Sequence, residues 1–215
     1  MIDFSTAKSI VIPEGEAQSI KRGAEVLWQK QPDKYKTELA YIEGTGSQWL
    51  DTEYYPNNTT RVECGIHWVA NTGDSFLYGS RKSYGGDAFG LHNSYAPFGS
   101  DYGAGFNGSC LFGNYHDVVH DVNGVFVDGV QQYREFPAQT FTSPVTFRIF
   151  RLAQSGGFYG SVGQAFKIHY FKIYDNGTIV RDFIPVLDWD DVPCMYDKVT
   201  DTLFYNQGTG EFLYE

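Results

Sequence analysis

The pair Asn123-Gly124 separates two runs of β-formers, Val118-Val119-His120-Asp121-Val122 and Val125-Phe126-Val127, and Asp128-Gly129 then leads into Val130-Gln131-Gln132-Tyr133. Asn-Gly and Asp-Gly are strong hairpin signals, because a two-residue type I′ turn needs φ > 0 at both central positions. The stretch therefore predicts consecutive antiparallel strands. The same grammar recurs along the chain. Residues 60–69 alternate, with Val62, Cys64, Ile66 and Trp68 on one face, and residues 145–150 alternate as cleanly. In residues 165–174, Phe166, Ile168, Tyr170 and Lys172 stand opposite Lys167, His169, Phe171 and Ile173. Apolar residues on both faces predict a central strand. Further strands are expected at 39–42, 48–52, 76–79, 88–92 and 178–183, with two more within 93–116. No stretch longer than about two turns carries helical periodicity.

About a dozen short strands without intervening helices predict an all-β, two-sheet sandwich. At 215 residues a jelly roll fits better than an immunoglobulin fold, whose Cys-Trp-Cys core pattern is absent. The 24 glycines and 17% aromatic content suit tight turns and strands. Residues 1–30 read as a small β appendage, with strands at 9–12, 17–20 and 25–28. Strands so short make little core alone, so this piece is expected to dock on the main domain or on a neighbouring chain. Residues 31–37 are polar, contain Pro32 and read as a linker. The main domain is expected over 38–215.

The chain has 26 acidic and 16 basic residues, formally −10, and no Lys/Arg cluster. That argues against a nucleic-acid partner. A glycan or another protein fits better, although solubility alone accounts for such a charge. The apolar runs are too short to span a membrane. The N-terminus lacks the basic-then-apolar pattern of a classical secretory signal. Synthesis in the cytoplasm without that signal is therefore expected. Cys64, Cys110 and Cys194 form neither a zinc pattern nor a disulfide framework and read as buried thiols.

Several segments resemble a known family. His116-Asp117-Val118-Val119-His120 and the residues through Val130 resemble the central hairpin of laminin-G-like and concanavalin A-like jelly rolls. A second, sharper set is formed by residues 39–52 (Leu-Ala-Tyr-Ile-Glu-Gly-Thr-Gly-Ser-Gln-Trp-Leu-Asp-Thr), 167–177, 180–186, 195–200 and 204–212. Together these resemble a LamG-like jelly-roll family of phage and prophage tail-associated proteins and gut-bacterial surface proteins. The resemblance implies a jelly roll in a virion or cell-surface setting, with other tail or surface proteins reached through residues 1–30. It implies no catalytic site. Glucanases on this fold carry Glu-x-Asp-x-x-Glu on one strand, which places acid and nucleophile on one face. That spacing is absent, so the chain is read as a non-catalytic module. The alternatives are a carbohydrate-binding surface protein of a gut bacterium and a glycoside hydrolase.

Other candidates have plainer readings. Asp188, Asp190 and Asp191 flank Trp189 in a loop that is either simply solvated or a Ca²⁺ site, since hard cations take clustered carboxylates. His116 and His120 are four apart, but on a strand, with no third ligand at a sensible spacing, so no zinc site is assigned. Gly103, Gly105 and Gly108 form Gly-x-Gly-x-x-Gly outside any strand–helix unit and read as loop. Asn57, Asn58, Asn107 and Asn176 begin N-x-S/T triplets, which carry little weight without a secretory signal. Residues 78–116 interleave aromatics with Gly, Ser, Asn and Asp. Aromatic faces stack on sugar C–H surfaces and carry a polar handle. Tyr84, His92, Tyr95 and Tyr102 are therefore the expected ligand-binding residues, against the simpler reading of core aromatics and glycine turns.

Overall fold

A strand with alternating apolar residues needs a second sheet to cover that face, and the chain supplies both sheets. The computed structural model describes residues 19–22, 25–29, 33–69, 75–83, 86–93, 98–108, 113–133, 136, 140–159 and 165–215. The chain divides into two compact units, Met1–Asp33 and Lys34–Glu215. In the first, Ser19–Arg22 pairs antiparallel with Glu25–Gln29, with an irregularity between Ile20 and Lys21. The strand expected at 9–12, and Cys110, Tyr84 and Tyr95, lie outside the described residues.

The second unit is an all-β sandwich, and no helix occurs among its described residues. The larger sheet has 11 strands, along the path Val130–Tyr133, Gly124–Val127, Tyr115–Asp121, Thr60–Trp68, Phe166–Asp175, Thr178–Leu187, Pro193–Asp197 and Thr202–Phe204. The other has 8, along the path Ala104–Gly108, Phe98–Tyr102, Phe89–Asn93, Ser75–Arg81, Arg148–Ile149 and Leu50–Asp51. Among the described residues, pairing is antiparallel except where Leu152–Gln154 runs parallel to Ser75–Arg81.

The Asn123-Gly124 turn differs from its expected form. Asp121 pairs with Gly124, so Val122 and Asn123 occupy the turn and only Gly124 has positive φ, at 121°. Asp121 Oδ1 accepts the Asn123 N–H at 2.7 Å, an Asx turn that sets the corner one residue earlier. Type I′ geometry occurs instead at Asp128-Gly129 (φ 51° and 76°) and at Asn176-Gly177 (φ 47° and 77°).

The strand Phe166–Asp175 corrects a second expectation. Ile168 pairs with Ile66 but Tyr170 pairs with Gly65, so His169 is an extra residue in a β-bulge. A one-residue slip exchanges the faces. Phe166 and Ile168 point inward before the bulge and Phe171 and Ile173 after it, and all four are buried. Tyr170, Lys172 and Tyr174 turn outward. The strand is central in its sheet, and the bulge accounts for apolar residues in both sequence phases.

Between the sheets lies an aromatic core that includes Trp68, Tyr78, Phe89, Tyr102, Phe136, Phe147, Phe171 and Phe183. The segments at the two ends of this unit clasp each other. Leu213–Tyr214 pairs with Ile42–Gly44, Gln207 N–H donates to Trp49 O at 2.8 Å, and Gln48 Nε2 donates to Glu211 O at 2.8 Å. Gly208 permits this approach, since a Cβ there would lie 1.9 Å from Ser47 O.

Candidate functional site

The alternation that buries Val62, Cys64, Ile66 and Trp68 sends Arg61, Glu63, Gly65 and His67 to the outer face of the larger sheet. Arg61 pairs across the sheet with Tyr174. Asp121 stands on its other side, one residue beyond the His120–Val62 pair. These outward residues, the corner at Asn58–Thr60 and the Asn176-Gly177 turn line a cleft of about 410 Å³. That volume suits a small polar ligand or the end of a longer one.

The cleft wall is held by its own polar groups. An Arg61 guanidinium nitrogen lies 2.5 Å from Glu63 Oε1 and another 3.6 Å from Asp121 Oδ2. The guanidinium sits 5.9 Å from the Tyr174 ring centroid, and Tyr174 Oη donates to Glu63 Oε2 at 3.1 Å. Burial, and then the Glu63 carboxylate, raise the Tyr174 phenol above its ordinary value. The corner is braced by Asn57, whose amide donates to Asp175 Oδ1 at 3.2 Å, and by Thr59 Oγ1, which donates to the same oxygen at 2.5 Å. The result is a ring face beside planar groups with fixed donors and acceptors, a surface suited to hydroxyl-bearing ligands.

The expected ligand-binding residues are distributed differently. Tyr84 and Tyr95 lie outside the described residues. Tyr102 is 1% exposed, with its ring in the core against Phe89, Phe136 and Phe141. Both ring faces are occupied by protein, so it offers no stacking surface. Its hydroxyl reaches the cleft and donates to Asn58 O at 2.9 Å, supporting the wall from behind. His92 is also buried, on the other face of that sheet, 4.7 Å from the Phe76 ring. Its Nε2 lies 3.8 Å from Asp101 Oδ2. Burial raises the Asp101 carboxyl to about 6, against the lowering effect of Arg81. His92, Asp101 and Arg81 thus form a buried ionisable cluster, of which the sequence marks only His92.

Other groups named from the sequence have structural partners, and Asp188 is buried rather than solvated. Asp188 Oδ1 accepts the N–H groups of Asp190 and Val192 at 2.9 and 2.8 Å, and Oδ2 accepts Tyr205 Oη at 2.9 Å, so its carboxylate shapes the Trp189 loop. Asp191 pairs with Lys36 at 2.5 Å. His116 and His120 share a strand face four residues apart, about 13 Å at strand rise, too far to share one ion. His116 Nδ1 lies 2.7 Å from Asp128 Oδ2, whereas His120 is in the core. Cys64 and Cys194 are buried, and desolvation raises both thiols, Cys194 to about 12, which opposes thiolate chemistry. The loop reading of Gly103, Gly105 and Gly108 is corrected: Gly103, at φ 76°, is a hairpin turn, whereas Gly105 and Gly108 lie in the strand Ala104–Gly108, paired with Asp101 and Phe98.

The sequence does not single out Arg61, Glu63, Asp121 or Tyr174, and marks Asn176 only as the start of an N-x-S/T triplet. The available signal was parity: each strand residue is a polar partner of a core position, and Asn176-Gly177 marks the adjoining turn.

No protein-family model matches the chain, and no curated protein matches it. Among solved structures it is similar to a "putative carbohydrate binding protein" from Bacteroides ovatus ATCC 8483, with a TM-score of 0.56 and 11% sequence identity. The match covers 83% of this chain and 60% of that one, so this chain spans less than two thirds of the solved protein. At that identity the likeness is one of fold, and it agrees with the β-sandwich built by the two sheets.

Proposed function

We propose that the unit Lys34–Glu215 is a non-catalytic glycan-binding module whose contact site is the cleft beside Arg61 and Tyr174. The observation that carries this reading is the cleft itself, a ring face flanked by Asn58, Asn176, Arg61, Glu63 and Asp121 at the open end of a rigid sheet. The name of the Bacteroides ovatus protein, which has this fold, supports the same ligand class. A tail-type assembly of a phage or prophage, with residues 1–30 as the attachment segment, is the setting we favour. It rests on the sequence resemblance alone. A glycoside hydrolase would need a free acid and a second carboxylate about 5–9.5 Å apart. Here both Glu63 oxygens are engaged, one by Arg61 and one by Tyr174, which suits holding a sugar better than cleaving one.

The test is a glycan array with the full chain, followed by calorimetric titration of the best hit into parent, Tyr174→Ala and Asn58→Ala. Loss of the stacking ring should weaken binding about fivefold or more. Absence of any glycan binding, or equal binding by all three proteins, would overturn the reading.

A further inference from the structure

The cleft opens onto a face that continues well past it. Beyond Arg61 and Glu63, the strand Thr60–Trp68 presents Gly65 and His67 outward, and about 20 Å of strand separates Arg61 from His67. On one side Phe166–Asp175 presents Tyr174, Lys172 and Tyr170. On the other, Tyr115–Asp121 presents Asp121, Val119, Asp117 and Tyr115. Gly65 lowers the middle of this face. A Cβ there would lie 2.6 Å from Tyr115 Oη and 2.8 Å from a Tyr170 ring carbon, so both side chains lie down onto bare backbone.

Asp117 Oδ1 accepts both hydroxyls, Tyr115 at 2.6 Å and Tyr170 at 2.8 Å. Two rings are thereby fixed by one carboxylate before any ligand arrives, which reduces the ordering cost of binding. The row goes on: Tyr115 meets His169 edge-on at 4.9 Å, and His169 lies 5.6 Å from Tyr41. The bulge at His169 is what turns Tyr170 onto this face.

We infer that the cleft holds one end of an extended, uncharged oligosaccharide and that the Tyr170–Tyr115–Tyr41 track holds the units that follow. This rests on the reading of the cleft as a sugar site. The track is longer than one sugar ring, and its rings alternate with groups that bond hydroxyls. Tyr115 is 44% exposed, and Val119 is the lone aliphatic among the outward residues named here, so the face lacks the apolar centre of a protein interface. Lys167 lies 3.8 Å from the Tyr41 ring centroid and 3.9 Å from Glu43, so a sugar on Tyr41 must displace its ammonium or use the other ring face, and Lys172 stands in register between Glu63 and Asp182. Charge is therefore mixed along the face, which favours neither an acidic nor a basic chain. Lys172 Nζ, 5.9 Å from the Tyr170 centroid, is at the outer limit of cation–π range and is a flexible side chain that a sugar ring can displace.

The probes are neutral oligosaccharides of glucose, mannose and N-acetylglucosamine, in length series from one unit to six, titrated into the full chain. Affinity should climb by about tenfold between the shortest and longest members of the series that binds, as added units reach further rings. Tyr115→Ala and Tyr170→Ala should each weaken the longest member by about fivefold and leave the shortest unchanged, whereas Tyr174→Ala weakens both. Thermal unfolding of each variant checks the fold, and Tyr115→Ala, at an exposed site, is the safer of the two. A longest member that binds no better than the shortest, or platform variants that bind it like the parent, would overturn the track and leave the cleft standing. No binding of any series by the parent would overturn the cleft reading and the track with it.

Discussion

His120 stacks on Phe89 inside the core, ring centroids 4.4 Å apart and planes 17° from parallel, with no solvent access. Its Nδ1 has only a long contact to Tyr78 Oη at 3.4 Å, and its Nε2 has no hydrogen-bond partner among the described residues. Burial therefore pushes the imidazole from 6.5 down to about 3. In that window the unfolded chain binds the extra proton, so stability is full above pH 6.5 and falls as pH drops towards 3. The shift corresponds to about 5 kcal/mol if fully expressed. His120→Phe keeps the stack and removes the titration. Urea unfolding from pH 7 to pH 3 should show a shallower acid loss in the variant, whatever its stability at neutral pH. Parallel pH profiles would refute the assignment.

Asp101 has the opposite sign. Its carboxyl titrates near 6 in the fold against 3.8 unfolded, chiefly through burial. The folded state holds the extra proton between those values, so stability declines as pH rises through the window, by up to about 3 kcal/mol. The window overlaps that of His120, and parent protein shows only their sum. In Asp101→Asn the decline between pH 4 and 6 should vanish, leaving the acid loss from His120 steeper. The check is the difference in unfolding free energy between parent and variant: a difference that stays constant across those pH values would exclude Asp101 as its source.

The same two residues show what was legible in sequence. Strand identity and the inward set Val62, Cys64, Ile66 and Trp68 follow from alternation, which is local. Which of Asp101 and Tyr102 faces inward rests on five residues, Phe98, Ser100 and Tyr102 in one phase against Gly99 and Asp101 in the other, too short a run in a glycine-rich stretch for alternation to stand out. Its sequence neighbourhood makes Tyr102 a ligand ring; its partner Phe89 across the sheet puts it in the core instead. The bulge at His169 is set by pairing with Gly65 and Ile66, about a hundred residues away along the chain. The cleft escaped for a related reason. Arg61, Asp121 and Tyr174 come from three strands far apart in sequence, so no local motif announces them, whereas the aromatics of 78–116 form a conspicuous local cluster. Two of the segments that carry the family resemblance, 39–52 and 204–212, bind each other and so hold the fold together.

Asp197 shows how such a segment can be tested. It has no exposure, and its Oδ1 accepts the N–H groups of Asp182 at 2.8 Å and Val199 at 3.1 Å, while Thr200 Oγ1 donates to Oδ2 at 2.7 Å. Arg181 Nε lies 3.6 Å from Oδ2. Asp197→Ala leaves these three donors without their acceptor and takes the carboxylate away from a largely buried guanidinium that keeps its bonds to Thr52 O and Val180 O, which should cost about 3 kcal/mol. The denaturant midpoint should fall accordingly, with Asp197→Asn intermediate. A loss below about 1 kcal/mol, the scale of an ordinary surface substitution, would show that the turn is held by other contacts.

Asp117 offers a test of the platform that needs no ligand. Burial raises the Tyr115 and Tyr170 phenols well above their usual value, and the hydrogen bonds to Asp117 and its negative charge raise them further. A carboxylate beside a phenol disfavours the phenolate, so Asp117→Asn should bring both phenols back towards the ordinary tyrosine range, leaving only the part due to burial. Alkaline titration followed by phenolate absorbance should show more tyrosine ionising before the alkaline unfolding step in the variant than in the parent. Tyr115→Phe in the Asp117→Asn background should remove part of that added absorbance, which separates these phenols from the other tyrosines. Superimposable curves for parent and Asp117→Asn would mean that the carboxylate does not hold the two hydroxyls in solution, and the rings would then lack the fixed geometry on which the oligosaccharide track depends.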